Sequence, residues 1–333
     1  MKRVLVVFSI IFTLMFALSG CNGTSSNQAS KNSSSDKKVT IGIMQIVEHP
    51  ALDSAREGFI KALKDNGYEE GKNVNYIMEN AQGDMSTAQT IAKKFVDQKV
   101  NLIFSIATPT SQAAKKATDS IPIVFTAVTD PVAAGLVKSM DKPGTNATGT
   151  SDMVPVKDQI NLIKEIVPDA KKLGIIYNAG EVNSTVQVKQ AKAAAESMGY
   201  TVSEATVSNS SEVNQATQSI VGKVDVIWLP TDNTVASSIG AIIKVANQAK
   251  KPVIPAEKGM VEGGGLATLG INYNDLGYQA GKIAVRILKG EKPENIKVET
   301  ADKLQLVINQ KEADTIGIKI PDSVLKKAQD IIK

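Results

Sequence analysis

Cysteine is almost missing from this chain. One residue in 333, Cys21, is too few for an intrachain disulfide or a thiolate zinc cluster. Histidine is as scarce: His49 stands alone beside Pro50, with no second metal ligand and no serine nucleophile motif near it, so it reads as a loop residue. Aromatic residues make up 4%, which weighs against a sugar cleft with stacking rings on both sides. No block of one charge sign occurs, because 38 Lys and Arg against 34 Asp and Glu leave only +4, with the lysines interleaved among acids. That pattern argues against nucleic acid as a partner. No G-x-x-x-x-G-K-[ST] string is present, and Gly263-Gly264-Gly265 lacks Rossmann spacing, so no nucleotide or other cofactor is expected. With neither a nucleophile–base pair nor a metal cluster in view, the chain is not expected to be an enzyme.

What is present begins at the N-terminus. Lys2 and Arg3 precede an apolar run over 4–18, followed by Ser19, Gly20 and Cys21, the layout of a secretory signal peptide. Leu18-Ser19-Gly20-Cys21 resembles the bacterial lipoprotein box. That resemblance implies removal of 1–20 and a diacylglyceryl group on the Cys21 thiol, with enough acyl chain for stable membrane anchoring. The alternative is an ordinary cleaved signal. Residues 22–37, nearly all Ser, Asn, Gly, Gln, Thr and Lys, cannot bury enough apolar surface to fold and read as a flexible tether.

From Val39 onward, short Ile- and Val-rich runs alternate with helical stretches, which predicts an α/β fold with parallel sheets. Strands are expected at 39–45, 73–79, 102–107 and 123–128, with helices at 52–66, 86–98 and 110–118. The order then repeats, with strands at 172–178, 201–207, 226–230 and 252–255 and helices at 184–198, 211–221 and 235–248. Asn101-Leu-Ile-Phe-Ser-Ile-Ala-Thr-Pro-Thr110 parallels Asp225-Val-Ile-Trp-Leu-Pro-Thr-Asp-Asn-Thr234, each an apolar strand ending in a Thr-bearing loop. Two similar Rossmann-like lobes facing across a cleft follow. A strand at 266–271, a helix at 275–288 stopped by Gly290, and a strand at 304–309 are too little for a third domain. They are therefore shared, giving lobe 1 as 38–150 plus 272–299 and lobe 2 as 151–271 plus 300–333. Three crossovers are expected, near 148–152, 269–272 and 298–303.

Ligands of open parallel sheets bind beyond the carboxyl ends of the strands. This selects Gln45, Glu48, Thr108, Thr110, Thr129 and Asp130 in lobe 1, and Asn178, Glu181, Asn183, Ser184, Asp232 and Asn233 in lobe 2. The hydroxyls and N–H groups at 108–111 suit a carboxylate, and Asp232 is the first candidate for an ammonium partner, ahead of Glu48, Asp130 and Glu181. Helix capping and turn formation are the competing readings for all of these. Tyr177 and Tyr273, at strand ends, are candidates for stacking on an aromatic solute, whereas Trp228, mid-strand, is expected in the core.

Several strings together resemble one family. They are Gly42-Ile-Met-Gln-Ile-Val-Glu-His-Pro-Ala-Leu-Asp53, Ile106-Ala-Thr-Pro-Thr-Ser-Gln112, Phe125-Thr-Ala-Val-Thr-Asp-Pro131, Thr148-Gly-Thr-Ser-Asp152, Ile176-Tyr-Asn-Ala-Gly-Glu-Val-Asn-Ser184 and Thr231-Asp-Asn233. The chain after the tether is similar to the ABC transporter substrate-binding proteins of the type I periplasmic-binding fold, which include receptors for tryptophan and other aromatic amino acids. The resemblance implies an extracytoplasmic receptor that closes on one solute, an amino acid, and hands it to a permease energised by a separate ATPase. Sugar or nucleoside binding, or an accessory role to a membrane sensor, are the alternatives. A DNA-binding regulator of the same fold would carry a DNA-binding module where this chain has an export signal.

Overall fold

The structure, a computed structural model, describes residues 38–301 and 303–333. The expected leader, Cys21 and the tether lie outside the described residues.

The first lobe opens with β1 (Val39–Gln45), α1 (Pro50–Asp65), β2 (Val74–Asn80), α2 (Met85–Asp97), β3 (Leu102–Ile106), α3 (Thr108–Ala117), β4 (Ile123–Val128) and β5 (Ala147–Ser151). β3 and β4 are buried and mostly apolar along their length because helices cover both faces of the sheet, leaving no solvent side to alternate with. The second lobe holds α4 (Val156–Ile166), β6 (Lys172–Asn178), α5 (Val182–Ser197), β7 (Thr201–Val207), α6 (Val213–Val221), β8 (Val226–Leu229), α7 (Asn233–Ala236), α8 (Ile239–Gln248), β9 (Val253–Pro255), α9 (Lys258–Glu262) and β10 (Ala267–Gly270). The chain returns to the first lobe with α10 (Tyr273–Leu288) and β11 (Glu299–Thr300). It ends in the second with β12 (Gln305–Asn309), α11 (Gln310–Ile316), α12 (Asp322–Leu325) and β13 (Asp330–Ile332).

The first sheet runs β11-β5-β4-β3-β1-β2, all parallel, and the second runs β7-β6-β8-β9, also parallel. In both sheets the earliest strand lies between the next two, β1 between β2 and β3 and β6 between β7 and β8. The repeat seen in the sequence is thus a repeat of winding, with the same switch point in each lobe. Each lobe has its own apolar core. Phe59 stacks on Phe104 at 3.6 Å in the first, and Trp228, fully buried as expected, donates to Gln159 Oε1 at 3.3 Å in the second.

The chain passes between lobes after β5, after β10 and after β11, near the three places expected. Two features depart from the expected pattern. The last strands form a separate β10-β12-β13 sheet in which β10 and β12 are antiparallel. The helix expected at 235–248 breaks at Ser237-Ser238 into α7 and α8, since α7 starts at Asn233, held by the Asp232 cap.

Candidate functional site

The switch-point strands β1 and β3 end at the loops carrying His49 and Ala107. Their counterparts β6 and β8 end at the loops carrying Glu181 and Asp232, and the two loop pairs meet across the cleft. Thr129 Oγ1 of the first lobe lies 3.2 Å from Thr231 Oγ1 of the second. Gln187 of α5 joins them, donating from Nε2 to Thr129 Oγ1 at 3.1 Å and to Thr231 Oγ1, while its Oε1 accepts from Thr231 N. The lobes are closed on one another.

Two cavities lie in this cleft. The mouth holds about 650 Å³, with Ile46, Val47, Met85 and Pro109 giving one wall an apolar character, and Asn178, Glu181 and Asn209 opposite. Deeper, at the hinge, a void of about 10 Å³, room for about one water, is bounded by His49, Asp152, Asp232, Asn233, Glu257 and Tyr273 among others. Asn233 lines both, so the two adjoin.

The residues chosen from strand polarity divide into groups. Glu181, Asn183, Ser184, Asp232 and Asn233 form one buried network. Glu181 accepts from Asn183 Nδ2, from N and Nδ2 of Asn233, and from N and Oγ1 of Thr234. Asp232 accepts from Asn178 N at 2.6 Å, Ser184 Oγ at 2.6 Å and Val235 N at 2.9 Å. Its carboxylate therefore caps α7 and ties β6 to β8 while also bounding the hinge void. Burial, with the Glu181 charge beside it, pushes its pKa up to about 7. Asn178 likewise closes its own loop, with Nδ2 on Thr234 Oγ1 and Oδ1 accepting from Gly180 N.

In the first lobe, the Gln45 amide is taken up by Val47 O, Asp53 and Arg56, all within the β1–α1 junction. Thr110 turns its hydroxyl back to Ile106 O, so it is Thr108, buried and with Oγ1 unpartnered, that stays available at the start of α3. Asp130 accepts from Val132 N and Ala133 N and makes a turn. Glu48 is exposed, with no hydrogen bond or ion pair among the described residues. Tyr177 does not border the cleft as expected: its hydroxyl donates to Glu204 on β7 at 3.0 Å, and it lines neither cavity. Tyr273 does reach the hinge, fully buried, and donates to Asp152 Oδ2 at 2.8 Å.

Asp152, Gln187 and His49 went unselected or were set aside at the sequence level, and these three, with Glu257 of the loop that strand polarity also selects, line the hinge void or bridge the lobes. Asp152 ends the Thr148-Gly-Thr-Ser-Asp152 run just after β5, and its signals in the sequence were its place at a crossover and in a string shared with the family. Its Oδ1 is buried without a partner, and burial raises its pKa. Glu257 caps α9 through Gly259 N and Met260 N, and burial pushes it to about 7. Both His49 nitrogens are buried without a partner, and burial holds the imidazole down at about 4, against the pull of Asn233 and Asp53. Among the described residues, no lysine or arginine pairs with Asp152, Asp232 or Glu257.

The description "ABC transporter substrate binding protein" fits residues 40–332 as a family model. The chain belongs to that family. Among its relatives, a tyrosine-binding protein of Clostridioides difficile is 49% identical over 296 residues, 88% of this chain and 86% of the relative. The structure of an ABC domain in complex with L-Trp from Streptococcus pneumonia, 40% identical, superposes with a TM-score of 0.86 over 89% of this chain and 100% of that one. A ligand-free, open substrate binding protein with adhesive properties from Clostridium difficile is 48% identical, covers 89% and 99% of the two chains, and superposes at only 0.67. The superposition is thus better with the L-Trp complex than with the ligand-free, open structure, although the latter is the more similar in sequence.

Proposed function

We propose that the chain is the extracytoplasmic solute receptor of an ABC importer, tethered to the membrane through lipid on Cys21, and that its solute is an aromatic amino acid. It would deliver that solute to a permease served by a separate ATPase. The reading is supported by the L-Trp complex and the tyrosine-binding relative, and by the chemistry of the cleft. One observation carries it. The hinge void has room for about one water molecule, hence for an ammonium group, and the unpartnered Oδ1 of Asp152 lies in a carboxylate cluster that no lysine or arginine among the described residues balances. From there the cleft widens into the mouth, where Ile46, Val47, Met85 and Pro109 offer apolar surface to an aromatic side chain. Thr108 Oγ1 and Asn183 Oδ1 are buried and unpartnered on opposite lobes, and on this reading the solute carboxylate takes the Thr108 hydroxyl at the start of α3. Contacts from both lobes are what a solute needs in order to favour the closed form.

A thermal-shift screen of the twenty amino acids, common sugars and nucleosides tests the class. Aromatic amino acids at about a hundredfold over Kd should stabilise by about 2.7 kcal/mol. Stabilisation by a sugar or nucleoside alone would remove the reading. Asp152→Asn keeps the Tyr273 contact but removes the charge facing the ammonium. It should weaken calorimetric binding by about 1.5–3 kcal/mol, and unchanged affinity would take Asp152 out of the site.

A further inference from the structure

Three carboxyls, those of Asp152, Asp232 and Glu257, bound one small enclosed void and come from three different segments: the β5–α4 crossover, the β8–α7 loop and the β9–α9 loop. Charge of one sign gathered out of water is unfavourable unless a cation enters or the groups take up protons. We infer that solute and protons compete for this cluster: in the empty closed receptor the hinge carboxyls hold protons, and the arriving ammonium displaces them to solvent. The inference rests on the proposed ammonium-bearing solute.

Among the described residues, the groups facing the cluster bring no other source of positive charge. From the β1–α1 side come His49 and, a turn along, Asp53, whose own partner is Arg56. From α10 comes the Tyr273 hydroxyl. Glu181 stands behind Asp232, and Glu262 lies a turn beyond Glu257. Lys258, next in the chain, is directed to Asp330 and Glu262. His49 is kept neutral by burial, with a pKa of about 4, and so exchanges no proton near neutrality in this closed form. Asp232 and Glu257, both pushed to about 7, are part-protonated there, and Asp152 is raised as well. When an ammonium sits against them its charge favours the ionised carboxylates. The carboxyl O–H bond breaks, the proton passes to water or buffer, and the ammonium keeps its own three.

The sign follows by linkage. Because binding releases protons, affinity rises with pH through about 7, by up to about tenfold per pH unit for each proton exchanged. Titrations of the purified receptor with L-tyrosine and L-tryptophan in phosphate and in Tris, from about pH 6 to about pH 8, read this directly. Buffer-dependent heats and a Kd that falls as pH rises are expected. Binding with one Kd and one heat throughout would overturn the inference while leaving the proposed function intact, whereas no binding at any pH would remove both. Glu257→Gln, which mimics the protonated carboxyl, should flatten the pH dependence. If both Glu257→Gln and Asp152→Asn keep the full slope, the carboxyls are not the exchanging groups.

Discussion

Asp232 shows how one side chain can be placed from sequence and yet carry a structural task that the sequence does not show. Strand polarity puts it at the cleft, but three donors converge on its carboxylate and make it the cap of α7 and the tie between β6 and β8. Replacing it by alanine orphans the Ser184 hydroxyl and two backbone N–H groups in a buried place, so a loss of about 2–4 kcal/mol is expected in urea unfolding. Asp232→Asn, which can still accept at one oxygen, should lose less. Asp152 shows the reverse. Nothing in Thr-Gly-Thr-Ser-Asp marks an acid with an unpartnered oxygen, because that property arises only when Tyr273, 121 residues further on, takes the other oxygen. Ala107 and Ala127 are also silent in sequence. Both have positive φ, at 85° and 54°, where strands β3 and β4 turn into the cleft, and alanine gives no sign of it.

The helix pair α1 and α10 joins the first lobe to the middle crossover, and it depends on glycine for close approach. A Cβ on Gly277 would stand 1.9 Å from Ala55 O, and one on Gly58 2.0 Å from Asn274 O, both rigid backbone. Gly277→Ala must therefore push the helices apart, with an expected cost of about 1–3 kcal/mol or more in a denaturant titration. Gly222→Ala, at the end of α6 with negative φ and nothing within reach of the new methyl, should be neutral or stabilising by about 0.4–1 kcal/mol. These elements were legible because apolar periodicity and β-branched runs report burial directly. The short pieces α9, α11, α12 and β13 were not, since three to seven residues carry too little periodicity to stand out.

Lobe closure is held on the cleft floor by Gln187 with Thr129 and Thr231. Gln187→Ala removes its bonds to both lobes and leaves the two threonine hydroxyls to each other. Solution scattering of the empty variant should show a larger radius of gyration than the parent, and solute affinity should fall by about 1–3 kcal/mol, because binding must then supply the closure free energy. An unchanged radius with unchanged affinity would show that the latch contributes nothing to the open–closed balance.

Sequence alone determined the duplicated α/β winding, the cleft between its halves and the loops that face it, because burial periodicity and strand polarity are local properties that repeat along the chain. Tertiary structure alone decided which of those loop residues are free to meet a solute. Occupancy of a polar atom depends on partners tens to hundreds of residues away, and so both Asp232 oxygens are already bonded while Asp152 Oδ1, Thr108 Oγ1 and both His49 nitrogens are left without a partner.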